Sequence, residues 1–389
     1  MNILHTVSII WKDTGGPAEV IPLLCRYLVL SGNTVSIATL AGDLSDGALA
    51  CGQHGVSLHT FPATFRQRPW YSSRMKAGIR RLVRDADIIH GNGMWEYANW
   101  CTGSEVIRQN KPYIISFHGS MMHSEKNWGL RHKIIWKCLD GRYVKKAACL
   151  HACTEEELSS IRGAGLSNPV AVVPNGIEIW STLSRERVNE LIPEFEGKKT
   201  LLFLSRIHPG KGVYDLVNAW CSLENLPDHW QLLIAGPGQP EHVAELRRLI
   251  KSQRRDSRAF YLGPLFNDRR IVAYQGCDVF VCPSYSENFG VVVGEALANG
   301  KPVIATHGVP WPALVEKQCG WWVPNTVMAL RKAICEAMAI SDNQCRAMGQ
   351  RGKDLVLSNY TWPIVAEKMQ KTYEWVLGGG QAPSWVDIA

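Results

Sequence analysis

Short β-rich apolar runs recur along the whole chain, each followed by a glycine- or proline-bearing loop and then by a stretch with helical spacing. Ile3 to Val7, Thr34 to Thr39, Asp87 to His90, Pro112 to Phe117, Cys149 to Cys153 and Val170 to Val173 form a first series. Thr200 to Leu204, Leu232 to Ala235, Phe260 to Leu262, Val279 to Cys282 and Val303 to Thr306 form a second. Strands that alternate with helices read as parallel sheets with crossover helices. At 389 residues the chain is too long for one typical core and fits two. The expected fold class is α/β, with two Rossmann-like domains facing across a cleft. The expected domains are 1–180 and 181–360, followed by a last amphipathic helix over 361–378 and a loose tail over 379–389. Residues 177–199 read as a polar linker with a short helix.

The stretch Ser284 to Val303 has the greatest chemical content. It reads as loop, helix and strand, preceded by the strand Val279 to Cys282. Ligands of open α/β sheets bind at such carboxyl strand ends. A helix start adds free N–H groups and a partial positive charge, which suit phosphate. Glu287 lies on the loop and Glu295 about one turn into the helix, with Asn288, Phe289, Gly290 and Val291 at the junction. Carboxylates flanking an anion cradle would repel phosphate, but they accept hydrogen bonds from sugar hydroxyls. A diol at each end with a diphosphate between describes a nucleotide sugar. Taken alone, the two glutamates could equally be solvated residues that complement the helix dipole.

Other strand ends carry further candidates. Gly15 and Gly16 follow the first strand and permit close backbone approach to a ligand, or make a plain tight turn. His118 precedes Gly119 at the end of the strand Pro112 to Phe117. Arg206 and Lys211 share the loop after Leu204, where two fixed cations could neutralise a diphosphate without a metal; the alternative is a solvated basic loop. The dinucleotide fingerprint and the P-loop pattern are both absent. Thr154 and Glu157 have capping-box spacing. Asp85-Ala86-Asp87 lies at the wrong end of its strand for a metal site, and Cys149, His151 and Cys153 read as buried strand residues rather than metal ligands.

The run from Pro283 and Ser284 through Phe289-Gly290 to Glu295-Ala-Leu-Ala-x-Gly-Lys-Pro-Val-Ile resembles the Glu-x7-Glu signature of glycosyltransferase family 4, the retaining group 1 glycosyltransferases of the GT-B fold. Asn288 stands where that family usually has glycine. The resemblance implies that the last helix crosses back onto the first domain. It also implies that Arg206 and Lys211 meet the donor diphosphate, that Glu287 and His118 meet the donor sugar, and that the loop of Gly15 and Gly16 faces the substrates. Leu265 would lie against the base. The implied reaction is transfer of a sugar from a nucleoside-diphosphate donor to a glycan or lipid-linked acceptor, as in surface polysaccharide or lipopolysaccharide synthesis. With no nucleophile evident for double displacement, front-face substitution is expected, with no metal or other cofactor. Two alternatives stay open: a GT-B sugar-nucleotide epimerase, and a non-catalytic nucleotide-sugar-binding protein.

Charge separates the two halves. From Pro62 to Ala148 there are 16 Lys and Arg against 6 Asp and Glu, a local excess above the +7 of the whole chain. Arg66, Arg68, Arg74, Lys76, Arg80, Arg81 and Arg84 surround Trp70 and Tyr71. Arg131, Lys133 and Lys137 surround Trp128, Ile134, Ile135 and Trp136. Such a face is either simply solvated or suited to an anionic inner-membrane surface. No nucleic-acid motif is evident, so nucleic acid is not an expected partner. Twelve cysteines without a signal sequence, and no apolar run near the roughly 18 residues that span a bilayer, suggest a reducing cytoplasmic location, peripheral at most.

Overall fold

The computed structural model describes residues 1–12, 15–64, 71–121, 129–252 and 258–388. Asp13, Thr14, Arg66, Arg68, Trp70, Trp128 and the side chain of Arg131 lie outside the described residues. The chain divides into two compact units. One comprises Met1–Gly176 with Trp362–Ala389, and the other Ile177–Thr361.

The first unit is built on β1 (Asn2–Thr6), β2 (Thr34–Leu40), β3 (Ser57–Phe61), β4 (Ile88–Asn92), β5 (Tyr113–Ser116), β6 (Cys149–Ala152) and β7 (Val170–Val172). They pair in parallel in the order β7-β6-β5-β4-β1-β2-β3. Both faces are covered by helices, so the central strands are buried at consecutive residues rather than alternate ones; all five residues of β4 are buried. Leu4, Ile89, Ile115 and Leu150 on neighbouring strands pack with Ile79, Val83, Val106 and Val144 from the helices. The order reverses between β1 and β4, which opens a crevice outside their carboxyl ends.

The helix Met75–Asp85 shows how the basic stretch folds. Met75, Ile79 and Val83 form a buried stripe at four-residue spacing, while Lys76, Arg80, Arg81 and Arg84 are exposed. The expected helix from Leu130 to Val144 forms, but its centre is a π-helical turn, Trp136–Asp140. The buried Asp140 carboxylate accepts from Trp100 Nε1 at 3.0 Å and Tyr143 OH at 2.8 Å. Trp136 is buried against Trp95, so it does not join the surface expected for it. Leu130, Ile134 and Leu139 are exposed there instead, beside exposed Lys133 and Lys137.

The second unit has β8 (Lys199–Leu204), β9 (Trp230–Ala235), β10 (Ala259–Gly263), β11 (Val279–Cys282), β12 (Val303–Thr306) and β13 (Gly320–Val323). All pair in parallel in the order β10-β9-β8-β11-β12-β13. The order reverses between β8 and β11. Phe203, Ile234, Val281 and Ile304 of the sheet pack with Leu216, Trp220, Leu246 and Ile334 of the helices.

The last helix, Trp362–Gly378, belongs to the first unit and packs on the helix Gly16–Leu30. Trp362 explains the glycine of the Pro174-Asn175-Gly176 turn, because a Cβ at Gly176 would lie 2.2 Å from the indole ring. The tail is not loose. Its β14 (Val386–Asp387) pairs antiparallel to β7, and Asp387 forms an ion pair with Arg162. The signal was slight: two residues after a Gly-Gly-Gly run have no periodicity to read.

Candidate functional site

In the second unit, the loops after β8 and β11 flank the point where strand order reverses. The loop after β8 carries Arg206 and a 3₁₀ turn, Pro209–Lys211, that ends at Gly212. The loop after β11 runs into the helix Val291–Ala298. The loops touch through their backbones: Tyr285 N donates to Gly210 O at 3.0 Å. Gly212 has φ +67°, and a Cβ there would lie 2.0 Å from Pro283 O. Only glycine permits that approach.

Contact between the loops brings Lys211 and Glu287 together. Lys211 Nζ lies 2.6 Å from Glu287 Oε1, with the side chains 17% and 14% exposed. Ser284 Oγ donates to the same oxygen at 2.8 Å, and Glu287 N donates to Gly308 O at 2.8 Å. Arg206 is exposed on the same loop as Lys211. The two cations singled out in the sequence therefore differ: one already holds a carboxylate and the other faces solvent.

The helix start is held from outside. Gly290 is its N-cap, with φ +78° and ψ +56°. Trp311 Nε1 donates to Phe289 O at 2.7 Å, and the Phe289 ring packs against Trp311 and Tyr360. Trp322 Nε1 donates to Val309 O at 2.8 Å. These bonds give the indoles of Trp311 and Trp322 backbone partners beside the helix start. They leave the N–H groups of Val291 and Val292 without intrahelical partners, as at any helix start, while Val293 N donates to Gly290 O at 2.9 Å. Asn288 Oδ1 is buried and has no partner among the described residues.

Glu295 is 5% exposed. Its Oε1 is paired with Arg270, and its Oε2 accepts from Tyr274 OH at 2.7 Å. The Arg270 guanidinium lies over the Trp180 ring, which stacks on Tyr274. Burial, and then the Glu295 charge, push the Tyr274 hydroxyl well above its ordinary pKa, so it stays a donor. Arg270, Tyr274 and Trp180 were not singled out in the sequence. Arg270 and Tyr274 lie one turn apart on the helix Asp268–Gly276, and that spacing is common on any helix. Leu265 is buried, with its side chain turned into the unit, whereas the adjacent Phe266 is exposed.

In the first unit, the N-terminal loop follows β1 and His118 follows β5, two strand ends separated by β4 in the sheet. Gly15, with φ +87°, caps the helix that begins at Gly16, and the space where a Cβ of Gly16 would stand is open. His118 follows β5 with φ +49°. The carboxylate of Glu157 anchors the next residue, accepting from Gly119 N at 2.6 Å and from Cys153 N at 2.7 Å. Thr154 Oγ1 caps the same helix through Glu157 N at 3.2 Å. The sequence had assigned Glu157 only to that cap, and its reach to Gly119 is a long-range contact that local spacing does not announce.

Four histidines share one hydrogen-bonded group in this unit. His118 Nε2 lies 3.0 Å from Asn92 Oδ1. Tyr373 OH on the last helix lies 2.6 Å from His90 Nδ1 and 3.3 Å from His5 Nε2. Ser116 Oγ bridges His90 Nε2 and His151 Nδ1 at 2.5 Å each, and His151 Nε2 donates to Val173 O at 2.7 Å. Burial pushes His5 and His118 down to about 3 and His151 to about 4, and takes His90 well below its ordinary value. His151 thus bonds to hydroxyl and backbone, not to a metal. The Cys149 thiol, pushed up to about 12 by burial, is not thiolate. Among the described residues, no group of three or more His, Cys, Asp or Glu side chains could hold a metal ion. Asp87 Oδ2 accepts from Asn2 N at 2.7 Å at the amino end of the sheet, and Asp85 pairs with Arg84.

Comparison with known proteins gives this geometry its class. The model of the glycosyl transferases group 1 matches residues 184–355, and that of glycosyltransferase family 4 matches residues 14–180. A D-inositol 3-phosphate glycosyltransferase of Corynebacterium diphtheriae is 31% identical over 395 residues, covering 93% of this chain and 90% of that protein. One of the same name from Corynebacterium efficiens is 30% identical over 245 residues, covering 59% of this chain and 57% of that protein. The chain belongs to the group 1 glycosyltransferases of family 4. The crystal structure of Anabaena HepE in complex with UDP superposes with a TM-score of 0.78 at 17% identity, covering 96% of this chain and all of that one (100%). WaaG, a glycosyltransferase involved in lipopolysaccharide biosynthesis, superposes at 0.69 with 15% identity, covering 97% and 100%. The fold is GT-B.

The histidine group makes stability depend on pH with a definite sign. Unfolded histidine binds a proton near pH 6.5, while the folded rings bind theirs only below about pH 4. Between those values the unfolded state holds more protons, so stability is full above about pH 6.5 and falls as pH falls. Each ring contributes a slope of about 1.4 kcal/mol per pH unit at most. Urea unfolding at pH 7.5, 6 and 5 should show the midpoint falling, with a smaller fall in His90→Gln. A midpoint independent of pH would mean that the folded rings take up protons as the unfolded ones do.

Proposed function

We propose that the protein is a retaining, metal-independent hexosyltransferase. It would move a sugar from a nucleoside-diphosphate donor to a glycan or lipid-linked acceptor in surface polysaccharide synthesis. The observation that carries this reading is the helix start at Gly290, set between the Lys211–Glu287 pair and the buried Glu295. An N-terminus attracts a diphosphate, and carboxylates on either side accept from hydroxyls. The UDP in the HepE complex supports a uridine nucleotide as one member of the donor class.

Negative charge grows on the leaving diphosphate in the transition state. Lys211, Arg206 and the N–H groups from Phe289 to Val291 would stabilise it. Lys211 would leave Glu287 for the diphosphate. Glu287 would then be released to accept from hydroxyls of the donor sugar, so one exchange arms both groups. Glu295, kept in place by Arg270 and Tyr274, would hold the ribose diol. His118 would contact the donor sugar, and Gly15 and Gly16 would face the substrates. Asn288, whose Oδ1 lacks a partner, would take a hydroxyl as donor. The Leu265 side chain is buried, so the base would meet backbone around it instead.

Lys211→Ala tests the diphosphate role. It should lower turnover about 100- to 1,000-fold, the cost of one preorganised donor, in a variant that is less stable because Glu287 loses its partner but is still folded at the assay temperature by circular dichroism. The assay would be run in EDTA, which should leave wild-type turnover unchanged. Near-normal turnover in the variant, or loss of wild-type turnover in EDTA, would remove this part of the reading.

The acceptor side of the proposal is peripheral attachment to an anionic membrane. Exposed Leu130, Ile134 and Leu139 beside Lys133 and Lys137 combine apolar and basic groups on one helix, which is what an interfacial helix requires. Among the described residues, no helix is long and apolar enough to cross a membrane. Flotation should carry the protein with vesicles containing phosphatidylglycerol and not with neutral ones, and Ile134→Glu should reduce the floated fraction. Equal flotation with both vesicle types would count against it.

A further inference from the structure

Asn92 ends β4 and is buried. Its Nδ2 lies 3.3 Å from Thr6 O and 3.1 Å from His90 O. A backbone carbonyl only accepts, so both contacts require the NH2 end of the amide at this position. The opposite orientation would set Oδ1 against two carbonyl oxygens with no proton between them. The orientation of Asn92 therefore follows from its neighbours, and Oδ1 is left as an acceptor 3.0 Å from His118 Nε2.

A ring nitrogen that faces an obligate acceptor at hydrogen-bond distance carries a proton. A neutral imidazole has one N–H, so the other nitrogen keeps its lone pair. His118 is neutral at pH 7, since burial pushes its pKa to about 3. Its backbone is held separately. The left-handed conformation, φ +49°, is uncommon for histidine and is stabilised by Glu157 gripping Gly119 N. One residue thus fixes where the ring stands and another fixes which nitrogen is basic.

We propose that Asn92 is a positioning residue that holds His118 as the Nε2–H tautomer and so presents Nδ1 as an acceptor for a ligand hydroxyl. An acceptor nitrogen takes a hydroxyl and rejects a phosphate oxygen, which also only accepts. His118 would then recognise a sugar hydroxyl and contribute nothing to the diphosphate charge. The sugar rests on the glycosyl-transfer reading, whereas the tautomer does not.

The test is a long-range proton–nitrogen correlation spectrum of the uniformly 15N-labelled full chain at pH 7, with His118 assigned from the signals lost in His118→Gln. The expected result is Nε2 in the range of protonated ring nitrogens and Nδ1 in the range of unprotonated ones. An Nδ1–H tautomer, or a ring protonated on both nitrogens, would overturn the proposal. In Asn92→Ala the two nitrogen shifts should converge as the tautomers exchange, and an unchanged pattern would overturn the role of Asn92. Asn92→Ser, which keeps a polar group in the site, provides the same reading if the alanine variant does not fold. A wild-type spectrum as expected, with full glycosyl transfer by His118→Gln, would defeat the sugar contact and leave the tautomer established.

Discussion

A carboxylate taken out of water has to be paired, and the second unit is arranged to meet that demand at Glu295. The side chain is nearly buried on a helix whose N-terminus begins one turn earlier, and it takes a cation on one oxygen and a hydroxyl on the other. Removing one partner from a fully buried pair typically costs roughly 3–5 kcal/mol and from a surface pair about 0–1, and this pair, with Arg270 35% exposed, lies between. The helix Asp268–Gly276 is therefore tied to the helix Val291–Ala298 by more than apolar contact. Glu287 meets the same demand through Lys211, and that pair locks the two loops at the switch point of the sheet. Both carboxylates are thus fixed in direction before any ligand arrives. This is the preorganisation that a site acting by electrostatics needs.

Under the proposed reading the two pairs behave differently. The Glu295 pair is permanent, because Arg270 is itself anchored over Trp180 and lies outside the sequence motif. The Glu287 pair is exchangeable, because Lys211 sits on a loop beside an exposed second cation, Arg206. The first unit meets a comparable demand without charge. Its buried polar groups are neutral rings, hydroxyls and amides linked from His118 through Asn92 to backbone, and from His5 and His90 through Tyr373 to the last helix. That helix supplies a hydrogen-bonding partner at the centre of the sheet as well as an apolar face.

The parts of this arrangement that were legible in the sequence are those carried by local spacing. Strand, glycine loop and helix follow one another within a few residues, so the α/β class and the two series of strands could be read directly. Glu287, Arg206, Lys211 and His118 lie on loops at strand ends and Glu295 about one turn into the helix that follows, and local spacing marks them all. What could not be read is what packs across the fold. The pairing of Lys211 with Glu287 spans 76 positions and that of Arg270 with Glu295 spans 25. The burial of Trp136 turns on a π-helical turn around Asp140, and the pairing of Val386 with β7 joins the two ends of one unit. Neither has a periodic signature. Asn92 has no local signature, because its orientation depends on the Thr6 carbonyl brought to it by the parallel pairing of β1 and β4, together with the His90 carbonyl of its own strand.

The central claim is that the second unit binds a nucleoside-diphosphate sugar through Glu295 and the adjoining helix start. Calorimetric titration of the full chain with the diphosphates of uridine, guanosine and adenosine, and with UDP-glucose, GDP-mannose and ADP-glucose, tests it most directly. The account predicts saturable binding of one nucleoside series, weakened at least 10-fold by Glu295→Ala in a variant that remains folded. Binding of that series unchanged in the variant, or no binding of any member even with a cellular glycolipid extract present, would contradict it.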